Sequence, residues 1–257
     1  MSAARRLLHE LSFDQRIFWR NPAAVFFTVA LPVLLLLLLC SVSSANGGGV
    51  GGGLVSVDLY VPAMITLGVV YASFADLAIR LTLARERGTL KRLRGTPLPP
   101  AFAICGSTSS TLVLAVILVV LPTGLGAAIY GTPLPDDIGL LLAALIVAVP
   151  SFAALGFALT ILVRSEAAAA PIANAALLPL YFASGLFIDF DVLPGPLRAI
   201  GSVFPLRPLF ELLVDAFGSG APEAGAAAGD LAQIAAWGSF GFLLALWRFR
   251  WVPEGQR

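Results

Sequence analysis

The chain has 257 residues, of which 58% are hydrophobic and only 12% charged, and its net charge is +1; mean hydropathy is +0.92. A soluble domain of this length needs more polar surface to cover one core, and so small a net charge gives no reason to expect a nucleic-acid partner. Several apolar runs reach the roughly 20 residues that cross a hydrocarbon layer as a helix, and none alternates with period two, which predicts an all-α integral membrane protein and argues against a membrane β-barrel.

The first predicted element is a helix lying on the membrane surface over residues 5–20, "RRLLHELSFDQRIFWR". At 100° per residue Leu7, Leu8, Leu11, Phe18 and Trp19 fall on one side, and Arg5, His9, Arg16 and Arg20 on the other. A disordered basic leader is the alternative, but it would have no use for the aromatic pair. Asn21-Pro22 reads as the cap and first position of a span over residues 23–42, with Pro32 as its kink. That run is too long for the apolar core of a signal peptide, about 7–15 residues. It also lacks the small residues that lipoprotein processing would need before Cys40, so it reads as a retained span. The loop "ANGGGVGGGL" is a flexible linker. No Lys-Ser or Lys-Thr follows it; the only lysine, Lys91, precedes Arg92, so the chain holds no P-loop.

Further spans are predicted over residues 57–83, 101–130, 138–163, 167–187 and 229–247, which makes six with the first. No internal repeat is visible, which tells against inverted-repeat transporters. Between the fifth and sixth spans, residues 188–228 show two short helical patterns. Leu193, Leu197, Ile200 and Phe204 form one, and Leu209, Leu213 and Phe217 the other, with Pro205 and Pro208 between them. Each is too short to cross a membrane; the pair either re-enters the outer leaflet or lies on it as an amphipathic hairpin. Cys40 and Cys105 sit far apart in apolar stretches and read as buried, inert thiols rather than a disulfide or metal pair.

Charge sets the orientation. Arg5, Arg6, Arg16 and Arg20 precede the first span, residues 84–100 carry five basic residues, and Arg164, Arg248, Arg250 and Arg257 follow on the same side. The opposite loops hold Arg198 and Arg207 among many acids. The positive-inside rule therefore puts both termini and residues 84–100 in the cytoplasm. A basic loop could serve only to fix topology or bind anionic lipid. The order within "ARERGTLKRLRGTPLPP" goes further: a short helix with Leu90 and Leu93 as an apolar edge among charges, stopped by Pro97, Pro99 and Pro100. Such an element suits docking into a groove of another protein.

Chemistry by the chain itself is not expected. The sole histidine, His9, lies in the leader, so no intramembrane Ser–His pair can form. Asp76 has no deeply placed partner acid, and metal ligands are lacking. An ion-coupled transporter would need ionisable residues near the midplane, and these are nearly absent; a non-transporting scaffold would leave the docking element without a use. Asp76 and Arg80, one turn apart with the acid first, are expected to pair structurally rather than handle cargo or protons. Asn174, Tyr181 and Phe182 either line a path for lipophilic cargo or pack helix against helix.

"RERGTLKRLRGTPLP" resembles the signature segment of ABC-2-type permeases, the membrane subunits of bacterial exporters of the daunorubicin-resistance kind. The resemblance extends to "NPAAVFFTVALPVLLLLL", "NAALLPLYFASGLFI" and "VLPGPLRAIGSVFPLRPLFELL". It implies that residues 1–257 form a single transmembrane domain, with residues 84–97 as a coupling helix seated on a partner P-loop ATPase that binds ATP and Mg. Arg85, Glu86, Arg87, Gly88, Thr89, Leu90, Lys91, Arg92, Leu93, Arg94 and Pro97 would make that contact. Glu86, Gly88, Thr89 and Leu90 match the family's E-x-G-T-L core, and Pro97 its terminating proline; the segment is more basic than is usual there. Residues 5–20 would lie beside the ATPase. A second permease chain, identical or not, and membrane lipids complete the implied partners, with drugs, lipids or lipid-linked products as cargo and a bacterial inner membrane as location.

Overall fold

The structure is a computed structural model that describes residues 15–16, 18–45, 57–86, 100–163, 165–218 and 224–248. Among these the chain is helical, with no strand, and six helices are long and apolar enough to cross a membrane. Helix α1 comprises Pro22–Val25, a π-helical turn at Phe26–Ala30, and Leu31–Ala45. Asn21 caps it as the sequence predicts, its side chain accepting the Ala24 N–H at 3.3 Å, with Pro22 in the first turn. The expected kink at Pro32 takes the form of that π turn. Proline has no N–H for the fourth carbonyl before it and its ring crowds that carbonyl, so widening the preceding turn makes room.

Helix α2 is likewise interrupted, running through Val57–Val70, a π turn at Tyr71–Asp76, and Leu77–Glu86. It is the axis of the bundle. Buried residues make up 94% of its most apolar stretch, and no other span exceeds 44%. Helices α3 (Pro100–Tyr130), α4 (Ile138–Leu159) and α5 (Glu166–Ala183) follow. A 3₁₀ turn at Phe190–Val192 leads to α6 (Gly195–Val203) and α7 (Leu206–Phe217), and α8 (Ala224–Arg248) closes the described chain.

The six predicted spans are thus present, with shifted ends. Helix α4 stops at Leu159 rather than 163, because Thr160 caps it and the next two N–H groups turn back to Ala158 and Leu159. Helix α8 starts earlier than predicted, at Ala224, since an alanine-rich lead-in favours helix. The break before α7 falls at Phe204–Pro205; Pro208 lies in the first turn of α7, where its missing N–H costs nothing.

Helices α1, α3 and α4 surround α2, and α3 is tied to α1 by the Tyr130 hydroxyl, which donates to the Leu37 carbonyl at 2.9 Å. Helix α8 lies along α4, while α5 rests chiefly on α2 and α6. The outward faces carry Leu34, Leu38, Val116, Val120, Leu142, Ile146, Leu243 and Leu246, all exposed, as lipid-facing surfaces are. Helix α7 differs from α6. It buries Leu206, Leu209, Phe210, Leu212, Leu213 and Phe217 among α2, α4 and α8, whereas α6 buries only Gly201.

Candidate functional site

The two π turns meet. Phe27 of α1 stacks on Tyr71 of α2 with ring centroids 6.1 Å apart and planes 25° from parallel. A π turn loosens the regular ladder, and nearby carbonyls of α2 find side-chain donors instead. Ser73 Oγ donates to the Val69 carbonyl at 2.6 Å, and the Tyr181 hydroxyl of α5 donates to the Leu67 carbonyl at 3.0 Å. On another side the backbone of Phe74 presses against α4 at Gly156, where an added Cβ would lie 2.6 Å from the Phe74 carbonyl oxygen. The crossing therefore joins α1, α2, α4 and α5 around one irregular segment.

Just beyond it, Asp76 and Arg80 form the ion pair their spacing predicts, Nε to Oδ2 at 2.8 Å. Asp76 is buried at 3% exposure, so the guanidinium is the neighbour that makes its charge tolerable in this setting. One turn further, Arg85 and Glu86 end α2. Both contact the connection between α4 and α5: Arg85 donates to the Thr160 and Val163 carbonyls, and Glu86 accepts the Glu166 N–H at 2.8 Å.

Of the residues singled out in the charged segment, Arg85 and Glu86 are described; Arg87, Gly88, Thr89, Leu90, Lys91, Arg92, Leu93, Arg94 and Pro97 lie outside the described residues. So do Arg5, Leu7 and Leu11 of the surface helix. At the end of that expected helix Arg16, Phe18 and Trp19 are helical; Phe18 is buried while Trp19, expected on the same face, is exposed, as are Arg16 and Arg20. In α5, Tyr181 is buried against α2, Asn174 is half-buried, and Phe182 faces outward, its ring 5.4 Å from that of Phe187. Tyr181 and Phe182 are thus brought to different surroundings. Cys40 is buried with a free thiol, and the side chain of Cys105 lies outside the described residues.

A second polar cluster occupies the opposite end of the bundle. Arg207 pairs with Glu211, its guanidinium carbon lies 3.2 Å from the centre of the Phe190 ring, and its Nη1 donates to the Ser184 carbonyl at 3.4 Å. Burial pushes the Glu211 carboxyl above its ordinary range; Arg207 opposes this, and Asp230 and Asp215 add to it. Burial likewise raises Asp215. Sequence reasoning missed this cluster, and missed the contacts of Arg85 and Glu86 with the α4–α5 connection. Arg207 and Glu211 stand four apart, the helical spacing that also joins Asp76 and Arg80, and that is the signal that could have found them; for Arg85 and Glu86 it is the opposite charges in "RE" at 85–86 and "RSE" at 164–166.

Residues 11–217 match the protein-family model described as ABC-2 type transporter. No curated protein matches the chain.

Proposed function

The chain belongs to the ABC-2 type transporter family, and from that membership we propose that it is the membrane subunit of an ATP-driven exporter whose motor is a separate P-loop ATPase. As a family member it is a multi-pass transmembrane permease component and not a catalytic domain, and membership implies an ATPase partner. In our reading the cargo is a lipophilic drug, lipid or lipid-linked product, taken from the cytoplasm or inner leaflet of a bacterial inner membrane. Both termini are cytoplasmic, two permease chains enclose the path, and ATP and Mg belong to the partner.

Residues 84–97 are the foot that sits on the ATPase, with residues 5–20 beside it. One observation carries this reading. Helix α2, the most buried span, leaves its π turn at the bundle centre as one α-helical stretch, Leu77–Glu86, that ends inside the charged segment. A displacement applied there has a continuous helical shaft into the core, which is what rigid-body switching between inward- and outward-open states requires.

The test is co-purification with the co-expressed ATPase. Replacing the apolar edge, Leu90→Asp, is expected to reduce the bound ATPase at least tenfold, the loss typical of a buried contact of about 1.4 kcal/mol or more. Undiminished binding would sink the docking role, as would ATP hydrolysis by the purified chain without a companion.

A further inference from the structure

Helix α5 begins at Glu166 after Ser165, and the Ser165 side chain makes no capping bond. An uncapped helix start leaves backbone N–H groups in need of an acceptor. Here Glu86 supplies one from another helix, its Oε1 accepting the Glu166 N–H at 2.8 Å. The residue beside it does the converse for α4. The Arg85 guanidinium forks over the end of that helix, Nη1 to the Thr160 carbonyl at 3.1 Å and Nη2 to the Val163 carbonyl. Each charge meets the helix end of opposite partial charge, the cation at a C-terminus and the carboxylate at an N-terminus. Both contacts bridge more than seventy residues of sequence and are charge-assisted, the stronger kind of hydrogen bond.

We propose that Arg85 and Glu86 form a two-pronged brace that makes the end of α2 and the 160–166 connection one moving body, and that Glu86 is the positioning residue that carries α2's displacement into α5. The proposal rests on the reading that residues 84–97 receive the push of the ATPase. Helix α5 has need of such a link. It rests chiefly on α2 and α6, and only 28% of its span is buried, so few apolar contacts tie it to α2. With the brace, its start is fixed to α2 at Glu86, and the Tyr181 bond to the Leu67 carbonyl fixes its other end.

The experiment uses the full chain in lipid nanodiscs, with Cys40 and Cys105 replaced by serine. Amide hydrogen exchange at Glu166 is expected to accelerate about five- to tenfold in Glu86→Ala, the usual effect of losing a cap, and to stay within about threefold of the parent in Glu86→Gln, which keeps a carbonyl oxygen there. Exchange unaltered by Glu86→Ala overturns the brace. In the complex with the ATPase, spin labels at Ala167→Cys and Ala245→Cys should report an ATP-dependent change in distance that Glu86→Ala at least halves and Glu86→Gln restores. A full change in Glu86→Ala, alongside faster exchange, overturns the positioning role. The exchange arm contains no ATPase, so a failure of the docking reading, seen as Leu90→Asp retaining the ATPase, is distinguishable from a failure of the brace.

Discussion

Glu211 shows how a single carboxylate in this chain answers to its surroundings. Burial is the largest influence on it and raises its proton affinity; the paired Arg207 pulls the other way, and Asp230 and Asp215 push with burial. Asp215 is raised by burial as well. A carboxyl raised in the folded state binds its proton more tightly there than in the unfolded chain. The stability it contributes is complete below the ordinary carboxylate range, about pH 4, and is lost as pH rises through the raised value. The thermal midpoint of the purified chain is therefore expected to fall as pH rises above the ordinary carboxylate range, and Glu211→Gln should flatten that fall and raise the midpoint at neutral pH. A slope identical in the variant would show that burial of this group is not what sets it. Residue-scale features of this kind divide by range. Asp76 and Arg80 were legible because four residues on a helix is a fixed geometry. Arg85 with Thr160, Glu86 with Glu166 and Tyr181 with Leu67 were not, since spacing along a chain says nothing of partners brought close only by packing.

Elements were far more legible, because an apolar run of twenty residues has few ways to be satisfied other than as a span. What hydropathy cannot register is one extra residue in a turn. The π turns of α1 and α2 leave composition unchanged, yet they shape the crossing of Phe27 on Tyr71 and the approach of Phe74 to Gly156. The burial of α7 was equally hidden: Leu209, Leu213 and Phe217 gave its period, but Phe210 flanks that stripe and Leu212 lies off it, and both are also buried. The pairing of α4 with α8 rests on small residues, as helix contacts in lipid do. Gly241 lies so close to α4 that an added Cβ would be 2.8 Å from the Leu155 nitrogen, whereas at Gly229, in the same helix, it would meet nothing within 4 Å. Both changes to alanine gain the same helix propensity, up to about 1 kcal/mol. Gly229→Ala is therefore expected to be neutral or stabilising, and Gly241→Ala to destabilise by about 1–3 kcal/mol, because backbone must move to admit it. Denaturation of the two variants side by side checks this; equal midpoints would mean that α4 and α8 are not held by close approach.

At the scale of the whole molecule, the ends of the helices constrain one another. Glu86 at the end of α2, Thr160 at the end of α4 and Glu166 at the start of α5 are in mutual reach, so they share one side of the bundle. The backbone N–H groups of Asp136 and Asp137 before α4 donate to the Ala216 carbonyl of α7 at 2.9 and 3.1 Å, which puts the turn before α4 and the end of α7 on the opposite side. Because the spans are continuous helices, finding the side of any one loop assigns all the rest. The basic residues concentrate beside Glu86, and positive charge is retained on the cytoplasmic side during insertion. In cells expressing the chain with Cys40 and Cys105 replaced by alanine, a membrane-impermeant maleimide is expected to label Leu134→Cys, in the exposed turn before α4, without permeabilisation. Thr96→Cys should be labelled only after the membrane is opened. The reverse pattern would put the charged segment outside the cell, beyond the reach of any ATPase, and would remove the docking role and the brace's part in coupling together. Labelling of both positions in intact cells would contradict the span count itself, because the single helix α3 separates them and has to cross the bilayer once.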